Sequence, residues 1–116
     1  MTRDLLRTIA LLTLSSSFMT VAWYGHLKFK GASLLTAVAL SWLIALPEYA
    51  LQVPANRWGH ASLSAPQLKI LAEAVAIAVF LAFNALYLKE ALRWNQLAGF
   101  ALVLAGLALA LRPSAV

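Results

Sequence analysis

The chain has 116 residues, of which 63% are hydrophobic and 11% charged, with a net charge of +5 and no cysteine. Soluble domains carry about 25% charged residues and, when this short, bury only part of their surface, so lipid must be the solvent for most of this chain. The basic residues stand singly or in pairs at the ends of apolar runs, as headgroup anchors do, which argues against nucleic-acid binding. The absence of Cys excludes a disulfide framework, a thiolate metal site and a cysteine nucleophile.

Four long runs almost free of Asp, Glu, Lys and Arg divide the sequence, and a helix needs about 20 mainly apolar residues to cross the hydrocarbon core. The reading is an all-α membrane protein, a single domain over residues 1–116 built of four antiparallel transmembrane helices. The first helix is predicted over residues 5–24. Arg3 and Arg7 followed by an apolar stretch and Ser15-Ser16-Ser17 have the outline of a secretory signal. The hydrophobicity continues through Phe18 to Trp23, however, which fits a retained span. Ser16, Thr20 and Trp23 share a face of this helix. Such hydroxyls bond back to their own helix or hold helices together; the alternative for Thr20 and Trp23 is contact with a bound solute.

After the basic turn Lys28-Phe29-Lys30-Gly31, the second helix is predicted over residues 33–53, capped by Ser33, bent at Pro47 and ended by Pro54. Ser41, Glu48 and Gln52 form a weak polar stripe on it. The longest loop is expected over residues 55–65. The third helix, residues 66–88, starts with Pro66 in the first turn and Ser64 as a cap. At about 100° per residue, its Lys69, Glu73, Phe80, Asn84 and Tyr87 fall within a sector of roughly 60°. Lipid cannot satisfy such a stripe, so it must face other helices or water. The turn 89–93 is short enough to make the third and fourth helices antiparallel neighbours. The fourth helix, residues 94–111, is stopped by Arg112 and Pro113. Its Gly99 and Gly106 lie seven residues apart on one face, with Ala110 beyond them, and allow close packing of another backbone.

Glu48 and Glu73 are the two intramembrane carboxylates, each roughly 10 Å inside the same membrane face at 1.5 Å of rise per residue. Charge inside a membrane points to function, and the pair could load protons or a cation. The alternative is structural, with Glu73 paired to Lys69 one turn earlier and Glu48 snorkelling or paired to Arg57. His26 and His60 have no ligand set around them, so no metal site and no cofactor is expected, and no nucleophile and base pair suggests an enzyme. Trp23, Tyr24, Trp58, Tyr87 and Trp94 fall near helix ends as an interfacial belt, with Trp42 the exception. Four spans put Arg3, Arg7, Arg57, Lys69 and Arg112 on one side and Lys28, Lys30, Lys89 and Arg93 on the other. Lys and Arg collect on the cytoplasmic side, so a division of five against four barely selects an orientation and permits dual topology.

The run Tyr87-Leu88-Lys89-Glu90-Ala91-Leu92-Arg93-Trp94-Asn95-Gln96-Leu97-Ala98-Gly99, followed by a Leu/Ala-rich helix with Gly106, resembles the closing hairpin of the drug/metabolite transporter superfamily. Residues 18–30 and 48–57 resemble its short, functionally uncharacterised four-helix branch, so that the resemblance covers nearly the whole chain. The plan is also similar to the small multidrug resistance family, whose members are antiparallel, dual-topology homodimers exchanging protons for cationic substrates. That likeness implies a helix-4 dimer contact through Gly99 and Gly106. The essential glutamate of that family, eight residues before a first-loop lysine like Lys28, corresponds to Thr20 here. Any coupling group has therefore moved, to Glu48 or Glu73.

The resulting expectation is a multi-pass transporter in a bacterial inner (plasma) membrane. Its partners would be the lipid bilayer, a small organic solute or metabolite and a second copy of the chain in an antiparallel homodimer. Glu73, Glu48, Asn84, Tyr87, Thr20 and Trp23 are the candidate substrate- and proton-binding residues. The alternative is a non-transporting assembly partner or accessory subunit.

Overall fold

The computed structural model describes residues 2–112. It contains four helices long and apolar enough to cross a membrane, spanning Leu5–Lys28, Leu34–Gly59, Ala65–Leu88 and Trp94–Leu111. The architecture is an all-α antiparallel bundle.

Helix α1 (Thr2–Tyr24) runs into a 3-10 turn at Gly25–Lys28 and is the centre of the fold. It packs along both α2 (Leu34–Gly59) and α3 (Ala65–Phe83), whereas α2 and α3 scarcely touch each other. Its sequence explains this position. Thr8, Leu12, Ser15, Ser16, Thr20 and Ala22 are all buried; except for Leu12 they are small, and they recur at helical spacing. Small and hydroxyl-bearing residues let backbones approach closely where no hydrophobic drive brings helices together in lipid.

Helix α2 starts on Ser33, whose hydroxyl oxygen accepts from the Thr36 N–H at 3.1 Å. It then departs from the sequence expectation: Pro54 does not end it, and the helix continues through Pro47 and Pro54 to Gly59. Tertiary packing outweighs the proline. Ala55 is wholly buried, and the Arg7 guanidinium lies 4.5 Å over the Trp58 ring, an attraction of about 0.5–1 kcal/mol at exposed sites. Gly59 is pressed against its neighbours, so that an added Cβ would lie 2.8 Å from Leu68 Cδ2 and 2.9 Å from Thr8 Cγ2. The loop expected over residues 55–65 thereby shrinks to residues 60–64, with His60 N–H and Leu63 N–H bonded back to Asn56 O and Gly59 O.

A reciprocal cap opens α3: Gln67 N–H donates to Ser64 Oγ and Ser64 N–H to Gln67 Oε1. The helix remains regular to Phe83 and widens into a π turn over Asn84–Leu88, closed by Lys89 in the left-handed region at φ 57°. Two ring contacts hold this end to the first loop. Tyr24 meets Phe80 edge to face at 4.9 Å, and the Lys28 ammonium lies 4.6 Å over Tyr87. Helix α4 (Trp94–Leu111) packs on α3 and has no buried residue. Its first turn is set by Arg93 N–H donating to Gln96 Oε1 at 3.0 Å. Of the residues expected to stop it, Arg112 stands just beyond its last turn and Pro113 lies outside the described residues.

Candidate functional site

Because α1 separates α2 from α3, a cavity of about 530 Å3 opens where the latter two fail to meet. Ser15, Ser16 and Met19 line it from α1, Glu48, Gln52 and Asn56 from α2, and Lys69, Glu73 and several alanines from α3. Glu48 and Glu73 thus face one space, in different states. Glu73 is bonded to Lys69 at 2.8 Å, and both side chains are substantially exposed, at 48% and 74%. This is the local pair that the sequence offered as its structural alternative. Glu48 is only 5% exposed and makes no pair with Arg57. Its Oε1 lies 3.1 Å from the hydroxyl of Ser15, itself fully buried, and its buried Oε2 has no hydrogen-bond partner. A buried carboxyl oxygen without a partner is costly.

Ser15 links this carboxyl to a polar row. Its Oγ is 2.8 Å from Gln52 Oε1, and Gln52 Nε2 is 3.5 Å from Asn56 Oδ1. Glu48, Gln52 and Asn56 are successive i, i+4 positions on α2, so they share a face, and Ser15 reaches them from α1. The sequence reading identified neither Ser15 nor Asn56. Ending α2 at Pro54 removed Asn56 from the stripe that Glu48 and Gln52 begin. Ser15 was legible only in the spacing Thr8, Leu12, Ser15, which places it on the packed face of α1.

The remaining candidates lie elsewhere. Asn84 is buried, but its side chain bonds the loop after α3, with Nδ2–H donating to Glu90 O at 3.0 Å and Glu90 N–H donating to Oδ1 at 3.3 Å. It borders a second cavity, between α3 and α4, with Phe80, Gly99 and Phe100. Tyr87 borders a third, mainly apolar space of about 500 Å3 with Val21, His26 and Phe29. Thr20 is buried on α1. Trp23 turns away from Ser16 and Thr20, 65% exposed, with its indole N–H against Met19 Sδ. The expected polar stripe of α3 is therefore divided: its Lys69–Glu73 end faces Glu48, and its Asn84–Tyr87 end holds the closing turn. On α4, an added Cβ at Gly99 or Gly106 would meet nothing within 4 Å. Among the described residues no group of three or more His, Asp, Glu or Cys converges in a way that would hold a metal ion.

A family model described as "Putative member of DMT superfamily (DUF486)" matches residues 8–111. Comparison with curated proteins and with solved structures gives no match.

Proposed function

The chain belongs to the DUF486 family, assigned to the drug/metabolite transporter superfamily and so to a transporter type of membrane protein, and on that premise we propose that it moves a small organic solute or metabolite across a bacterial inner membrane, coupled to protons through Glu48 and Glu73. The observation that carries this reading is the cavity between α2 and α3, which gathers both intramembrane carboxylates with Glu48 buried and one of its oxygens unpartnered. Glu48 is the proton carrier. Glu73, tethered by Lys69, forms the acidic opposite wall that a solute meets. The chemistry is transport without catalysis, and it calls on no cofactor.

The working unit in this reading is an antiparallel homodimer. Four short helices cannot both enclose a path and shield it from lipid, and α4 presents an unburied face with room at Gly99 and Gly106 for another backbone. The near-even distribution of basic residues suits insertion in both orientations. A two-fold axis brings the same patch against itself.

One observation favours a second reading, that of a non-transporting assembly partner: the Lys69–Glu73 bond already neutralises one of the two carboxylates locally. Uptake into proteoliposomes across a panel of small solutes, with and without a proton gradient, separates the two. Gradient-dependent accumulation of at least one solute is the expected result, and its absence across the panel would favour the accessory role.

A further inference from the structure

Ser15 Oγ is surrounded by three oxygens: Gln52 Oε1 at 2.8 Å, Glu48 Oε1 at 3.1 Å and the Glu48 carbonyl oxygen at 3.3 Å. A serine hydroxyl has a single hydrogen to donate but two lone pairs to accept with. It cannot satisfy Gln52 and Glu48 at once as a donor, so one of these short contacts has to carry its hydrogen on the other partner. Donation runs along the shortest contact, from Ser15 O–H to Gln52 Oε1, and on from Gln52 Nε2–H to Asn56 Oδ1. The contact at 3.1 Å is then a hydrogen bond only if Glu48 Oε1 carries the hydrogen and donates it to Ser15. This direction belongs to the neutral carboxylic acid.

The ionised carboxylate demands the reverse. It accepts only, so Ser15 turns its hydrogen to Glu48 Oε1. Gln52 then turns its amide end for end to donate Nε2–H to Ser15, and Asn56 turns likewise to donate Nδ2–H to Gln52 Oε1. Amide O and N are nearly the same shape, so both directions fit one backbone. We propose that protonation of Glu48 sets the direction of this four-member chain, making Glu48 and Asn56 the two ends of a proton-operated switch built between α1 and α2. The inference deepens the transport reading and rests on its choice of Glu48 as the proton carrier.

The proton moves between hydronium in the cavity and the Glu48 carboxylate, and returns to water on release. The amides keep their hydrogens and only rotate, so the chain is a switch and not a wire. Asn56 borders both the Glu48 cavity and an adjoining one lined by Arg57 and His60. With Glu48 neutral, Asn56 turns its oxygen inward and leaves Nδ2–H free to meet an acceptor on a solute; with Glu48 ionised, it offers the oxygen to a solute donor. Among the described residues, the titratable groups around the site are Lys69 and Glu73 on α3, bonded to each other, and Arg57 and His60 in the adjoining space, and α1 lines the cavity with Ser15, Ser16 and Met19.

The test uses the full chain in lipid nanodiscs. The infrared carbonyl band of a protonated carboxyl is followed against pH beside the side-chain amide NMR signals of Gln52 and Asn56. In the unsubstituted protein the Asn56 signal is expected to titrate with the midpoint of the carboxyl band. Glu48→Gln removes the Asn56 response together with the band component that shares its midpoint, and Glu90→Gln, outside this cavity, leaves both. Ser15→Ala, by deleting the hydroxyl that joins Glu48 to Gln52, disconnects the Asn56 signal from the carboxyl titration. The proposal is overturned if the Asn56 signal follows no carboxyl titration in the unsubstituted protein, or if it still titrates in Glu48→Gln. Solute uptake by the same protein is scored separately. Gradient-driven uptake with an unresponsive Asn56 ends the switch and keeps the transporter; a responsive Asn56 without uptake of any solute keeps the switch and ends the transporter.

Discussion

Glu48 and Glu73 are the same residue type facing one cavity, in different surroundings. Glu73 is on an exposed turn with a lysine four residues before it, a geometry worth about 0.3–0.5 kcal/mol per pair. Lys69→Ala or Glu73→Gln is therefore expected to shift detergent denaturation by less than about 1 kcal/mol, while Glu73→Gln lowers solute uptake only several-fold. Glu48 has no countercharge bonded to it, one hydroxyl neighbour and an orphan oxygen. Glu48→Gln is expected to reduce proton-driven uptake to background while leaving solute binding detectable by tryptophan fluorescence or calorimetry. Equal uptake by Glu48→Gln and the unsubstituted protein would remove Glu48 from the coupling role. Both carboxylates were legible in the sequence because formal charge inside an apolar run is rare and expensive. What distinguishes them was half legible. The i, i+4 lysine beside Glu73 is visible in one dimension, whereas the Ser15 hydroxyl comes to Glu48 from another helix, 33 residues away in sequence.

The elements follow the same division between local and tertiary causes. Caps at Ser33 and Ser64, Pro66 in a first turn and the short third connection are local, and α1, α3 and α4 begin and end within a few residues of expectation. The end of α2 lies beyond the sequence expectation: propensity alone stops a helix at Pro54, while Gly59, Thr8 and Leu68 pack tightly enough to carry it about one and a half turns further. Gly59→Ala is accordingly expected to destabilise the protein by about 1–3 kcal/mol through overpacking. Gly106→Ala, with open space around its Cβ, is expected to be neutral or stabilising in the monomer, since Ala is favoured over Gly in helices by about 1 kcal/mol. Thermal denaturation in one detergent compares them; a Gly59→Ala protein as stable as Gly106→Ala would contradict the packing account. Asn84 has a tertiary role besides its place on the polar stripe of α3: its amide fixes both backbone groups of Glu90. Asn84→Ala leaves those groups without this partner and should cost about 1–3 kcal/mol, read in the same melt.

For the molecule as a whole, the four-span plan was readable from charge spacing, whereas the order of packing was not. Hydropathy gives each helix the same description, and only the small-residue face of α1 reveals it as the one on which both α2 and α3 pack. Assembly lies beyond a single chain. If subunits insert in opposite orientations, two added lysines in the first loop of one variant and in the second loop of another should each abolish uptake alone and restore it on coexpression; full activity from one variant alone would contradict the antiparallel dimer. The most direct measurement of the central claim, that a proton on Glu48 drives a small solute through this protein, is uptake into proteoliposomes under an imposed pH gradient by the unsubstituted chain and by Glu48→Gln side by side. Accumulation of a solute that collapses with a protonophore and is lost in Glu48→Gln is the expected result. No gradient-dependent movement of any solute by the unsubstituted chain, or undiminished movement by Glu48→Gln, would contradict it.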